Sequence, residues 1–563
     1  MFTIIEEEFK QYILSDADVN MALGCTDFLG ELGDPSLKYA NQRQTKAKNL
    51  LNKMRGCTTN NFEESLDLEL MIRSIEKDLF FDSLKQHGLP QRQRKPNGVD
   101  GISAGIFQLF VNDDRPAHKR LDNILIRLEQ SPDYLKAEAE VIAEPITRWL
   151  QIEITQGEGL PSLFDTIQSW AEQENYPKLN QLELAIKQTN DALSEYLKDL
   201  SGRQTIDSFT IGEDKVNELL AIRNIHYSPA QLTAMAKDFM SETQVLLGAL
   251  TKKLIAKYAL DENASQSELQ EHLNNVFAAK LKDGKIESVL DYYYSEIDSI
   301  QSFISQQKLF DIPAAQDMQI MQTPSFLEPV IPAGAMWPPL ALREGKKSSL
   351  VYLTLKEDEL AEHTELGIPV MMIHEGIPGH HLQFATAAQH PSFVRRIFSA
   401  NEHAEGWTTM LEDYMLDQGY VDKNLIDEVR FIAKREMSRL VARVGIDLYF
   451  MTGNIAYLEV GLDLKFGSQD PFVNAAKLLK EATGFTDGRV QAELNWYSTE
   501  QSYPLSYLTG NRMVWKLKDE IIQSNKKNLS SKEIDQAFHR IYLESGCMPV
   551  NNLRNVFEEQ GFL

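Results

Sequence analysis

Apolar residues recur at helical spacing through most of the first 310 residues. Leu68, Met71, Ile72, Ile75 and Leu79 form one stripe in DLELMIRSIEKDLF. Leu121, Ile124, Leu125 and Leu128 form a second in RLDNILIRLEQ, and Leu182, Leu184, Ile186, Leu193 and Leu197 a third. Residues three, four and seven apart share one side of a helix, so each stripe predicts an amphipathic helix with a buried face. The second is expected to stop before Ser131-Pro132, because proline donates no backbone hydrogen bond and crowds the preceding turn. No repeat unit recurs along the chain, which argues against a solenoid.

The pattern breaks over residues 312–340. Pro313, Pro324, Pro329, Pro332, Pro338 and Pro339 all fall there, so the stretch cannot be a regular helix. It reads as an interlobe connection or a long loop, with the division expected between 1–311 and 312–563. The run LVYLTL at 350–355 is the clearest strand-like segment. As an exposed edge it could pair with an extended peptide. Helical spacing then returns almost to the end. The class is mainly α, with a small β-sheet.

Length and composition narrow the function. A chain of 563 residues suggests several domains or one large two-lobed body. With 57 Lys+Arg against 82 Asp+Glu, the net charge is −25, which argues against duplex DNA or an anionic membrane surface as partner. Cys25, Cys57 and Cys547 are too few and too scattered for a disulfide framework or a cysteine zinc knuckle. The start, MFTIIEEE, is acidic where a signal peptide is basic. A cytoplasmic protein is therefore expected.

The chemistry concentrates in MMIHEGIPGHHLQ, residues 371–383. An apolar lead-in followed by His374-Glu375 is how the helix of an H-E-x-x-H zinc site begins, but Pro378 occupies the place of the second histidine. In a regular helix, six residues would set His374 and His380 about 9 Å apart in rise and about 240° apart in rotation. Two ligands about 2.1 Å from one ion cannot be so distant. Pro378 must open the hydrogen-bond ladder, and Gly376 and Gly379 allow a detour. Treating Ile377-Pro378 as a bulge pairs His374 with His380, with His381 as the alternative ligand. Glu405, 25 residues after His380, is the candidate third ligand, ahead of His403. Glu412 or Asp413 could hold a ligand histidine from behind. Histidines with purely structural roles are the plainer alternative.

HEGIPGHHLQ followed by EGWTTMLED resembles a bacterial family catalogued as domain of unknown function 885, whose members carry H-E-x-x-P-G-H-H-x-Q and then E-G-W-A-x-Y-x-E. DLELMIRSIEKDLF, RLDNILIRLEQSPDYLKAEAEVI and LSYLTG also resemble family blocks, so the likeness runs nearly the length of the chain. The order His, Glu, His, distant Glu is similar to zinc peptidases related to thimet oligopeptidase, angiotensin-converting enzyme and Taq carboxypeptidase. That resemblance implies a helical, two-lobed metallopeptidase-like fold around a deep central cleft, one Zn2+ per chain on His374, His380 and Glu405, and Glu375 as general base. It implies tyrosine donors to the oxyanion, Tyr507 and Tyr503, although this chain reads QSYPLSY where many members read PGQALSY. The partner implied is a short peptide, with carboxypeptidase, dipeptidase and oligopeptidase action all open. Arg439, Arg443 and Asp447 share one helical face, as substrate contacts or as a salt-bridge ladder. Arg512 and Arg489 are further cations for a terminal carboxylate. A hydrolase of a non-peptide amide or ester, and a non-catalytic binding protein, are the other readings; Glu375 argues against the last.

Overall fold

A computed structural model describes residues 1–323, 334–356, 360 and 363–563. Pro324, Pro329 and Pro332 lie outside them. The chain forms two compact units, Met1–Ile211 with Leu342–Glu344, and Gly212–Ala341 with Gly345–Leu563. The division expected at 311/312 falls inside the second unit. The described parts of the proline-rich stretch carry two strands, Gln316–Gln322 and Gly334–Trp337, with Pro313 and Pro338 just outside them, where a missing N–H costs no ladder hydrogen bond.

The three expected stripes of the first unit are helices Phe62–Ser83, Ala117–Val141 and Leu179–Ser201. Asn61 starts the first by accepting a hydrogen bond from Glu64 N at 2.9 Å. The second does not stop at Ser131; it runs through Pro132. Pro132 leaves the carbonyl of Leu128, one turn back, without its helical donor. Thr189 of the third helix supplies the replacement, its buried hydroxyl donating to Leu128 O at 3.0 Å.

In the second unit, strand Lys347–Leu353 is the middle of a three-stranded sheet. It runs parallel to Gln316–Gln322, from Gln316↔Lys347 to Gln322↔Leu353, and antiparallel to Gly334–Trp337. Both edges of the strand are occupied over 350–353, so the free edge expected at 350–355 is not offered there among the described residues, and 354–355 lie beyond the strand. Helices follow to the C-terminus. Two of them, Asn401–Asp417 and Ile426–Thr452, are buried on nearly every side. Charged residues on such helices need internal partners, because isolated charge is costly away from water. Among the described residues no helix is long and apolar enough to cross a membrane.

Thr189→Val should destabilise the protein by about 1–3 kcal/mol in urea unfolding, by stranding a buried carbonyl. In a Pro132→Ala background, where residue 132 can donate again, the same substitution should cost clearly less. Equal costs in both backgrounds would disprove the compensation.

Candidate metal centre

The helix Gly367–Glu375 ends directly after His374-Glu375, and the next helix, His380–Ala387, opens with His380. Residues 376–379 make the detour that Pro378 forces, and the Ile377–Pro378 peptide is cis. At Gly379 a Cβ would lie 1.9 Å from His374 O, so only glycine lets the chain fold back so closely. Trp407 Nε1 donates to Pro378 O at 2.9 Å and pins the detour to helix Asn401–Asp417. The two imidazoles meet with ring centres 5.0 Å apart, nearly perpendicular.

Helix Asn401–Asp417 brings Glu405 to the same point. His374 Nε2 lies 3.6 Å, and His380 Nε2 3.4 Å, from Glu405 Oε2. One donor atom from each of the three residues lies within 4.8 Å of the others. Ligands about 2.1 Å from a tetrahedral ion sit about 3.4 Å apart, so this spacing fits zinc. Glu405 Oε2 is buried and accepts no hydrogen bond among the described residues, while Oε1 accepts one from the Tyr503 hydroxyl at 2.7 Å. His374 Nδ1 donates to Glu412 Oε1 at 2.8 Å, which turns the Nε2 lone pair toward Glu405. Lone pairs that converge in this way need a proton or a cation between them.

The electrostatics express the same demand. Burial disfavours charged His374, yet its contacts with Glu405 and Glu412 and the charge of Glu375 raise its pKa to about 10. Burial pushes the Glu405 carboxyl up, but His380 and His374 outweigh it and hold the group well below the usual carboxylate range. Burial and the Glu405 charge drive the Tyr503 and Tyr507 phenols well above their usual value, so both stay protonated. The Glu375 charge acts on His374, Tyr503 and Tyr507 alike, which sets it among them.

The other candidates do not join His374, His380 and Glu405 as ligands. His381 Nδ1 meets Ser349 Oγ at 2.7 Å and Nε2 meets Gln316 Oε1 at 2.6 Å, so it fastens the sheet instead of ligating; burial lowers its pKa to about 4. His403 packs on Tyr542, ring centres 4.1 Å apart. Asp413 pairs with Lys434 at 2.7 Å, which leaves the supporting role to Glu412. Arg512 pairs with Glu242. Arg443 lies against Tyr507, 4.1 Å from the ring centre. Arg489 lies 3.5 Å from the centre of the Phe485 ring.

Arg223 escaped the sequence reading, and Asp447, expected as a substrate contact or a rung of a salt-bridge ladder, does something else. Asp447, fully buried, accepts hydrogen bonds from Ser502 N and Leu505 N, both at 3.0 Å. Arg223 donates to Glu402 Oε2 at 2.8 Å, to Ser506 Oγ at 2.7 Å and to Ser502 O. Together they clamp the turn that presents Tyr503, where Ser502 takes φ 66°. Arg223 stands 179 residues before Glu402 with no motif around it, so nothing in the sequence could have flagged it. Helix Ser506–Ser524, which carries Tyr507, presses directly on the Glu405 helix. A Cβ on Gly510 would lie 2.1 Å from Glu402 O, and one on Gly406 2.5 Å from Gly510 C.

With the geometry described, comparison with known proteins adds the following. The family model described as bacterial protein of unknown function (DUF885) matches residues 19–556. The chain belongs to this DUF885 family. A putative lipoprotein of unknown function from Shewanella oneidensis shares the fold at TM-score 0.75 and 18% identity, over 99% of this chain and 100% of that one. A putative lipoprotein from Colwellia psychrerythraea shares it at TM-score 0.77 and 15% identity, over 99% and 98%. No curated protein matches the DUF885 chain. The structural neighbours overturn the expectation of a cytoplasmic protein, which rested on an acidic start and few cysteines: this fold is one that putative lipoproteins carry.

Two outcomes follow for this packing. Gly510→Ala should cost at least about 1–3 kcal/mol in urea unfolding, since backbone must move. Gly248→Ala, in the middle of helix Pro229–Tyr258 with nothing within 4 Å of a Cβ, should stabilise by up to about 1 kcal/mol. Behind the Glu405 helix, His539 stacks on Phe310 at 4.4 Å, and burial lowers its pKa to about 3. The unfolded chain binds that proton near pH 6.5 and the folded one does not. Its share of stability is thus complete above pH 6.5 and lost as pH falls toward 3, by at most about 1.4 kcal/mol per unit. His539→Phe should flatten the measured slope of stability against pH in that window.

Proposed function

We propose that this chain is a zinc-dependent hydrolase of peptide bonds in short peptides, acting as a carboxypeptidase, dipeptidase or oligopeptidase. The observation that carries the reading is the meeting of His374 Nε2, His380 Nε2 and the unpaired Glu405 Oε2 at 3.4–3.6 Å, beside a glutamate that is not needed as a ligand. One zinc ion on these three residues would supply Lewis acidity toward a water and a carbonyl. The two-lobed, clefted arrangement of the zinc peptidases is part of the same reading.

The chain's own groups then divide the work. Glu375 takes a proton as the water oxygen attacks the scissile carbonyl carbon, and hands it to the departing amine nitrogen as the C–N bond breaks. The protonated phenol of Tyr507 donates to the carbonyl oxygen as negative charge develops there, and Tyr503, whose one O–H is held by Glu405 Oε1 at 2.7 Å, joins it by turning that proton from the carboxylate to the carbonyl oxygen. Glu412 holds the His374 ring in the tautomer whose Nε2 is free. Asp447 and Arg223 fix the turn that carries Tyr503, so the donor loses little freedom on reaching the transition state.

Glu375→Gln should retain zinc and lower kcat on a short-peptide library by roughly 10²–10⁴-fold. Tyr503→Phe should lower it on the order of 10²-fold with metal content unchanged. Full turnover in Glu375→Gln would remove the base assignment. Failure of the zinc-loaded wild type on every peptide would remove the peptidase reading.

A further inference from the structure

Beside Tyr507, helix Ile426–Thr452 presents Arg439 and Arg443 one turn apart, and helix Asp487–Thr499 presents Arg489 and Glu493 one turn apart. Arg443 Nη2 pairs with Glu493 Oε2 at 3.0 Å, and its Nε donates to the Tyr497 hydroxyl at 2.9 Å. Arg439 is held more loosely, 3.6 Å from Glu493 Oε1 and 3.7 Å from Glu436. Arg489 approaches Glu436 at 3.8 Å. Arg439 and Arg443 thus share the Glu493 carboxylate, in a chain whose net charge is −25.

The Arg439–Arg443 pair is not fully satisfied. Arg443 is 5% exposed, and its Nη1 has no hydrogen-bond partner among the described residues; the buried Nε of Arg439 has none either. A buried N–H on a charged group is costly when unpaired, and a guanidinium is shaped to meet a carboxylate with two parallel hydrogen bonds. The cluster also adjoins the proposed centre. Arg443 lies 4.1 Å from the centre of the Tyr507 ring, which is 6.0 Å from that of Tyr503, whose hydroxyl bonds Glu405. Tyr507 lies in the fields of Glu405 and Glu375 and of Arg443 and Arg439 together. Arg439 keeps 22% of its side chain exposed, so the cluster opens to solvent at that end.

We infer that Arg439 and Arg443 form a subsite for a carboxylate of the substrate, which orients the scissile bond beside Tyr507. This rests on the peptidase reading for the reaction, but the subsite is defined by binding. The carboxylate is a free C-terminal α-carboxylate or an acidic side chain.

Binding to the zinc-loaded Glu375→Gln protein separates these, read by calorimetry with three probes: N-acetyl-alanyl-phenylalanine, its C-terminal amide, and N-acetyl-glutamyl-phenylalanine amide. A carboxylate probe should bind about tenfold or more tightly than the neutral amide. Preference for the first names the terminal carboxylate, and preference for the third the side chain. Arg439→Gln should remove the preference and Arg439→Lys restore part of it; the comparison of probes stands without either variant. Equal binding of all three, or binding of none, overturns the subsite. Hydrolysis by the wild type is scored separately. Selective binding without cleavage keeps the subsite and removes the peptidase reading. Cleavage without selectivity does the reverse.

Discussion

A carboxylate out of reach of water must be met by positive charge, and Glu405 is where this fold takes on that demand. Its helix is buried on nearly every side, so the charge cannot turn outward. One oxygen is satisfied by Tyr503, and the other faces two imidazole nitrogens at 3.4 and 3.6 Å. Much of the surrounding structure serves to keep that meeting point in place. Glycine at 379 lets the chain turn back on His374, Trp407 ties the turn to the Glu405 helix, and Gly406 and Gly510 let the neighbouring helix approach at backbone contact.

The surrounding charges form a second layer with the same logic. Glu412 supports His374, Arg223 spans Glu402 and the Tyr503 turn, and Asp447 holds two backbone N–H groups of that turn. None of these side chains is free to reorient without stranding a buried polar group, which is the condition for a preorganised site. The arginine pair beside Tyr507 differs, because Arg443 Nη1 and the buried Nε of Arg439 have no hydrogen-bond partner among the described residues.

The stripes at 68–79, 121–128 and 182–197 were legible because helical periodicity is local. The run through Pro132 was not, since it depends on Thr189, a hydroxyl from another helix. The strand at 347–353 was legible from its residues, but its central place was not, because partners on both sides are fixed by tertiary pairing. In the site, the bulge at Ile377-Pro378 is readable from helix geometry alone, whereas the approach of Glu405 to His374 and His380 depends on a separate helix. The choice between His380 and His381 was open in the sequence, and only Ser349 and Gln316 show where His381 turns. Arg223 carried no signal, because its partners come from distant segments.

The most direct test of the central claim is the metal content of purified wild type and of Glu405→Ala after zinc loading and dialysis. The account predicts about one zinc per chain in the wild type and little in the variant, with both proteins folded by circular dichroism. A folded wild type that retains no zinc, or a Glu405→Ala protein that retains it fully, would contradict it.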